Sequence, residues 1–253
     1  MNPVLFSLGS LHIYAYGTMI AIGVILAVQL MTRRCRIESG LTPPVVYDLV
    51  FTILVTGFFG ARIFYVIENF PAYAGRPFSA FAFWEGGLIY YGGVIAAFAG
   101  VFFFSRIKKI GFVHMLDFSL PYIALVHAFG RIGCFLNGCC HGKVCDLPWA
   151  VKFPHLADKV HPTQLYEVAL NLILFFALYR FYPKRRFNGE IAGFYFLFYG
   201  TGRFIIEFWR EQYSSWLLFS WNQWVSLGLI ALGAIFLRPL RSKGADQPMG
   251  RVE

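Results

Sequence analysis

The chain has 253 residues and a formal net charge of +9, and 58% of its residues are hydrophobic while only 14% are charged. A soluble domain of this length could not bury so much apolar surface in one core, so the composition excludes an ordinary globular protein. The basic residues lie in short loops between apolar runs and not on one soluble face, which argues against a nucleic-acid partner.

Seven apolar runs approach the length of a membrane-spanning helix, which needs about 20 mostly apolar residues. They lie near residues 14–32, 45–67, 87–105, 116–134, 164–182, 189–208 and 222–238. The sequence therefore predicts an all-α integral membrane protein with seven transmembrane helices in a single polytopic domain, residues 1–242. It also predicts a disordered cytoplasmic tail over residues 243–253.

The distribution of lysine and arginine predicts how these helices are oriented. With the N-terminus outside, the inside loops and tail hold 14 basic residues and the outside loops hold five. The positive-inside rule therefore predicts an outside N-terminus and a cytoplasmic C-terminus. Two longer segments that contain prolines, about 68–86 and 135–163, then lie outside.

Ionisable residues within membrane spans are costly, and they are functional candidates by default. Polar side chains from five helices reach one level near the outer face: Tyr16, Arg62, Tyr91, Arg131, Arg203 and Glu207. Arg203 and Glu207 are spaced i, i+4, so they can pair on one helix face. A guanidinium is always charged and forms a planar fork that suits phosphate. The pattern predicts a polar cavity for a phospholipid headgroup, with a purely structural ion pair as the alternative for Arg203. For Arg62 taken alone, a helix-packing or snorkelling role is favoured.

The segment from Arg131 to Cys145 is rich in glycine and cysteine. Three glycines within ten residues predict that the chain leaves the helix beside Arg131, where exposed N–H groups could bind an anion. Five residues of this segment have side chains that could bind a soft metal ion: Cys134, Cys139, Cys140, His141 and Cys145. Their spacing fits no zinc pattern, so a disulfide among the four cysteines is favoured over a metal site.

The run from His161 to Glu167 marks the start of the fifth predicted helix. Pro162 and Thr163 suit a helix start, and Glu167 in the first turn would interact favourably with the helix dipole. That account does not explain His161 and Glu167 together, so both are candidates for the site.

These residues together resemble bacterial prolipoprotein diacylglyceryl transferase over nearly the whole chain. The matching pieces, in order, are Tyr14-Ala15-Tyr16-Gly17, Gly60-Ala61-Arg62, Gly86-Gly87 with Tyr91-Gly92-Gly93, Gly130-Arg131-Ile132-Gly133 with Gly142, His161 to Glu167, and Gly202 to Phe208 with Arg210. The resemblance implies an enzyme of the bacterial plasma membrane whose active site faces outward. It implies transfer of the diacylglyceryl group of phosphatidylglycerol to the lipobox cysteine of a preprolipoprotein signal peptide, with a thioether formed and glycerol phosphate released. Membrane lipids are then further partners, and neither a cofactor nor nucleic acid is expected.

By position, the resemblance implies that Arg131 and Arg203 hold the lipid phosphate and that Glu207 orients Arg203. Tyr16 and Gly142 would line the headgroup cavity. The chain also departs from the family pattern. Many members have a histidine, proposed as the base, at the position of Tyr91, and they have asparagine and glutamate at the positions of Cys134 and Cys139. The base is therefore left open among Tyr91, Glu207, His141 and His161.

The predicted site has a catalytic set and a substrate-binding set, with no metal ligand. The predicted catalytic residues are Arg131, Arg203, Glu207 and Tyr91. The predicted substrate-binding residues are Arg131, Tyr16, Gly142, Asn137, Arg62, His161 and Glu167. Two other functions stay open: a membrane thiol–disulfide protein that uses the loop cysteines, and a lipid transporter or channel that uses the arginines without covalent chemistry.

Overall fold

The computed structural model describes residues 4–8, 11–38, 40–73, 75, 77–83, 86–211, 215–216 and 218–238. These residues form eight α-helices: α1 (Ala15–Cys35), α2 (Pro43–Glu68), α3 (Phe70–Tyr73), α4 (Tyr90–Lys108), α5 (Phe112–Asn137), α6 (Thr163–Phe181), α7 (Glu190–Glu207) and α8 (Trp221–Leu237). Two antiparallel hairpins precede α1 and α8, and they consist of β1 (Val4–Leu8) with β2 (Leu11–Tyr14) and β3 (Ser215–Trp216) with β4 (Phe219–Ser220). Short 3-10 helices cover Pro77–Phe81 and Tyr182–Lys184.

Each of the seven predicted apolar runs coincides with one long helix, and α3 is a short addition in the predicted segment 68–86. The helices α1, α2, α4 and α5, together with α6 extended to Lys184, are long and apolar enough to cross a membrane. Helix α8 is apolar but has only 17 residues. The prediction of an all-α, multi-pass membrane protein is thus confirmed. The full count of seven spans, the orientation and the single domain stay predictions, and the tail 243–253 lies outside the described residues.

The chain divides into two compact units, Met31–Met115 and Met1–Leu30 with Leu116–Glu253. In the first, α2 packs along α4 through small residues. A Cβ atom built on Gly93 would lie only 2.9 Å from the carbonyl oxygen of Gly57, and one on Gly60 would overlap Ala96. Such close approach is the usual way in which membrane helices pack. The chain turns before α4 at Gly86 and Gly87, which have φ of 79° and 76°.

In the second unit, α7 packs along α8 in the same way. A Cβ on Gly200 would lie 2.9 Å from the carbonyl oxygen of Ser226, and one on Gly233 would lie 2.8 Å from that of Gly193. Helix α6 also packs against α7. Buried Asp117 of α5 accepts hydrogen bonds from the N–H groups of Gly189 and Ala192, so it fixes the start of α7.

Helix α5 corrects one sequence prediction. It continues past Arg131 and Gly133 to Asn137, and the turn begins only at Gly138, which has φ of 73°. The prediction that the chain leaves the helix beside Arg131 is therefore wrong. Gly133 stays helical because α1 packs against it: a Cβ there would lie 2.9 Å from the Cα of Tyr16.

Candidate functional site

Three arginines and two glutamates from α5, α6, α7 and the turn after α7 form one network. We call Arg131, Glu167, Arg203, Glu207 and Arg210 the arginine–glutamate cluster. Arg131 Nε lies 2.8 Å from Glu167 Oε2, and Arg203 Nη1 lies 2.6 Å from Glu207 Oε2. Arg210 joins the two pairs, since its Nη1 is 3.2 Å from Glu167 Oε1 and its Nε is 3.8 Å from Glu207 Oε2.

The cluster is buried and carries an excess of positive charge. Glu167 and Glu207 are 1% and 3% exposed, and the three arginine side chains are between 11% and 18% exposed. Three guanidiniums and two carboxylates sum to a formal charge of +1. Each guanidinium has five N–H donors, and the contacts of the cluster within the described part of the chain use one or two of them per arginine. The arrangement can therefore accept one further anion.

Glu207 is held on both oxygens. Its Oε1 accepts hydrogen bonds from Asn222 Nδ2 at 2.8 Å and Ser220 Oγ at 3.1 Å, while Oε2 faces Arg203. Ser220 also caps α8 in a capping box with Gln223. Ser220 and Asn222 were missed in the sequence, where the only signal was the serine followed three residues later by glutamine. A carboxylate with so many donors is suited to orient an arginine.

His127 is a further neighbour that the sequence analysis missed. Its Nε2 lies 3.3 Å from Arg131 Nε and 3.9 Å from Glu167 Oε2, and its ring packs on Tyr199. It stands four residues before Arg131 on α5, so i, i+4 spacing was the signal that could have found it. His127 is therefore a direct neighbour of both members of the Arg131–Glu167 pair.

Glu167 lies deeper in α6 than predicted. It is the fifth residue of α6, one turn further in than the helix start, and its carboxylate bridges Arg131 and Arg210. The prediction that it lies in the first turn and acts on the helix dipole is wrong. Ion pairing prevails because a buried carboxylate requires a charged partner.

The backbone around Gly142 positions Arg210 in the arginine–glutamate cluster. The N–H of Gly142 donates to the carbonyl oxygen of His161 at 2.9 Å, and the N–H of Lys143 donates to that of Trp209 at 2.9 Å. A Cβ on Gly142 would overlap the carbonyl oxygen of Trp209. The loop after α5 thus meets the start of α6 and the residue before Arg210 at a point where only glycine fits.

The five cysteines are free thiols in the structure. Cys134, Cys139 and Cys140 lie together at the end of α5. Hydrogen bonds with the Cys134 and Cys139 thiols lower the pKa of the Cys140 thiol, and the positive charges of Arg131 and Arg210 lower it further.

A family model described as prolipoprotein diacylglyceryl transferase matches residues 3–238. The chain belongs to the prolipoprotein diacylglyceryl transferase family. Relatives named phosphatidylglycerol–prolipoprotein diacylglyceryl transferase include one from Vibrio cholerae, 36% identical over 245 residues, which are 94% of this chain and 90% of the relative. One from Bordetella parapertussis is 37% identical over 246 residues, with 92% and 93% covered, and one from Clostridium tetani is 34% identical over 239 residues, with 92% and 95% covered. The resemblance seen in the sequence is thereby confirmed.

The unit that holds the arginine–glutamate cluster, Met1–Leu30 with Leu116–Glu253, also contains three other residues that were predicted for the site. Tyr16 is 46% exposed and lies beside Gly133. Asn137 is exposed at the end of α5. His161 Nδ1 lies 3.1 Å from the hydroxyl of Tyr166. The His161 side chain lines a groove of about 510 Å³, together with residues of α7 and with Leu147, Trp149, Tyr166, Leu170 and Trp209.

The other two predicted residues lie in the unit Met31–Met115. Arg62 is 3% exposed and donates hydrogen bonds to five backbone carbonyls: those of Ser79, Ala80, Ala82, Gly86 and Gly87. Tyr91 is 44% exposed, and its ring packs edge-on against Tyr90. The structure places Arg62 as a clamp on the segment before α4, and a role of either residue in this family's site stays a prediction.

Proposed function

We propose that the chain transfers the diacylglyceryl group of phosphatidylglycerol to the lipobox cysteine of a preprolipoprotein. A thiolate forms a bond to the lipid glycerol carbon, the bond from that carbon to the phosphate oxygen breaks, and glycerol phosphate leaves. Family membership and the names of the relatives support this reaction.

The arginine–glutamate cluster is the observation that supports it most directly. A phosphodiester carries one negative charge, which matches the +1 formal charge of the cluster. When the phosphate leaves as a monoester its negative charge grows, so the cluster binds the transition state more strongly than the lipid. Arg131 and Arg203 then hold the phosphate, Glu207 orients Arg203, and Glu167 holds Arg131 and Arg210 at a fixed separation.

The remaining predicted residues complete the proposed site. Tyr16, Gly142 and Asn137 line the headgroup cavity. His161 contacts the substrate from the groove that it lines together with Tyr166 and Trp209. Tyr91 is a candidate base for the substrate thiol. A Tyr91→Phe variant whose pH–rate profile matches that of the parent would remove Tyr91 from that role.

We place the protein in the bacterial plasma membrane with seven spans, the N-terminus outside and the cluster near the outer face. The positive-inside count supports this orientation. The coincidence of all seven apolar runs with helices supports the number of spans. Outward placement would also let the site meet secreted preprolipoproteins.

Mass spectrometry of a lipobox peptide tests the function. We expect purified protein with phosphatidylglycerol to add one diacylglyceryl group to the cysteine peptide and to release one glycerol phosphate. A serine peptide, or phosphatidylethanolamine as the lipid, serves as the negative control. A transporter would move lipid without forming the adduct, and a thiol–disulfide protein would oxidise or reduce the peptide without adding lipid.

A pair of arginine variants makes this test specific. Arg203→Ala should lose the adduct, while Arg106→Ala should form it at the parental rate. Arg106 is a suitable control because its guanidinium lies over the ring of Phe102 near the end of α4. Unchanged transfer by Arg203→Ala would contradict the proposed role of the cluster.

A further inference from the structure

Three cysteine thiols meet at the end of α5. The Sγ atoms of Cys134, Cys139 and Cys140 lie within 4.8 Å of one another, and those of Cys139 and Cys140 are 3.7 Å apart. Three sulfur atoms bound to one ion at about 2.3 Å stand about 4 Å apart, so the thiols would need to move by less than about 1 Å to bind an ion together. All-sulfur ligation suits a soft cation and not a hard, oxygen-binding one.

The backbone brings the three thiols together through a glycine-dependent helix end. Gly138 is left-handed, and the N–H of Cys139 donates to the carbonyl oxygen of Cys134 at 3.1 Å, which is the pattern of a Schellman motif. Cys140 also has a positive φ, 64°, which is uncommon for a residue other than glycine. With this backbone, even adjacent cysteines can place both sulfur atoms on one ion.

Buried polar side chains at the start of α6 hold this turn in place. Gln164 Nε2 donates to the carbonyl oxygen of Cys139 at 2.6 Å, and Thr163 Oγ1 donates to that of Cys140 at 3.0 Å. Both Gln164 and Thr163 are fully buried. Hydrogen bonds from surrounding groups orient the ligands in protein metal sites in the same way.

We propose that Cys134, Cys139 and Cys140 bind one Zn²⁺ ion, whose open coordination position takes the sulfur of the substrate cysteine. The proposal rests on the transferase function proposed above. It replaces the sequence prediction that the site has no metal ligand. Three protein ligands and one open position form the usual arrangement of a catalytic zinc site.

Coordination of the substrate thiol by the metal ion would generate the thiolate nucleophile. This chain has Tyr91 at the position where many family members have the histidine proposed as the base, so the metal ion would take that role. A metal ion deprotonates a thiol that coordinates it, and the proton passes to water. The thiolate then forms the sulfur–carbon bond as the carbon–oxygen bond breaks, and the electron pair of that bond leaves with the phosphate. Because Arg131 stands one helical turn before Cys134, α5 would hold both the leaving group and the nucleophile.

The metal content of the purified full chain tests the site. After growth with added zinc, we expect elemental analysis to find about one zinc ion per wild-type chain, and at least about tenfold less in Cys139→Ser and Cys140→Ser. Cys145→Ser and Cys35→Ser are matched controls and should keep the ion. A metal-free wild type, an equal loss in Cys145→Ser, or an intact mass that shows a disulfide within the three cysteines would overturn the proposal.

Cobalt exchange tests the open position. Co²⁺ bound by thiolates absorbs light through sulfur-to-metal charge transfer, and a fourth thiolate should increase that absorption. We expect the increase with the cysteine lipobox peptide and not with the serine peptide. The same spectrum with both peptides would overturn coordination of the substrate thiol.

Metal removal from the wild-type protein avoids the risk that a variant fails to fold. We expect chelation to lower the transfer rate at least about tenfold and reloading with the native ion to restore it. Full transfer by the metal-free protein would overturn this inference while the proposed transferase function stood. If no form transferred lipid, the proposed function itself would be contradicted.

Discussion

Buried arginines in the two units are used in opposite ways. Arg62 directs all its donors to backbone carbonyls, which are neutral and fixed, so it clamps one segment of its own unit. Arg131 and Arg203 each pair with a buried carboxylate and use only one or two donors in the described contacts. All three arginines lie within apolar runs of the sequence. Their partners, and not their burial, separate a structural arginine from one that can bind an anion.

Arg203→Ala should give the largest effect and sharpen this comparison. We expect the turnover of phosphatidylglycerol to fall by about 10²–10³-fold, because a donor to the developing phosphate charge is removed. Arg203→Lys should recover only part of the rate, since a single ammonium cannot replace a planar fork. Steady-state kinetics of peptide lipidation measure both variants. Full activity in Arg203→Ala would make the pair with Glu207 purely structural.

Glu167→Gln should mainly reduce stability. The amide keeps the shape but removes the charge on which Arg131 and Arg210 converge, and the loss of one partner of a buried pair costs about 3 kcal/mol. Thermal unfolding in detergent should show a clearly lower midpoint, and the transfer rate should fall with it. Asp158→Asn, on an exposed loop of the same unit, is the control and should leave the midpoint unchanged.

Gly142→Ala should have a smaller effect on stability, about 1–3 kcal/mol, because the new methyl group must displace the carbonyl of Trp209. The displacement would move Arg210, so we expect the KM for phosphatidylglycerol to rise. Gly75→Ala, where the structure places no atom within 4 Å of the new Cβ, is the matched control. Parental kinetics in Gly142→Ala would show that Arg210 is not positioned through this loop.

Arg62→Met should give the smallest of these effects on the reaction and tests the other side of the comparison. The variant leaves buried carbonyls such as those of Ala80 and Ala82 without their donor, which costs about 1–3 kcal/mol for a group left unpaired. We expect a lower thermal midpoint. A raised KM for the lipid with an unchanged midpoint would instead support the predicted role of Arg62 in substrate binding and break the comparison.

Much of the fold could be predicted from sequence because lipid exposure leaves long apolar runs, and each run became a helix. The Arg203–Glu207 pair was also predictable, since both residues stand on one helix face. The bridge from Glu167 to Arg131 and Arg210 was not, because it joins residues far apart in the chain through tertiary packing. The helical Gly133 was missed for the same reason: its neighbour Tyr16 lies more than a hundred residues away.

Asp117 sets the position along the helix axis of α7 relative to α5, the two helices that carry Arg203 and Arg131, which we propose bind the lipid phosphate. It fixes the N-terminus of α7 against α5 at one point, and Arg131 follows it by 14 residues on α5, about 21 Å, while Arg203 follows Ala192 by 11 residues on α7, about 16 Å. Both helices run from this point toward the cluster. An insertion or deletion of one residue in either helix would therefore shift and rotate one arginine relative to the other. The hydrogen bonds of Asp117 therefore constrain the length of both helices between this residue and the cluster.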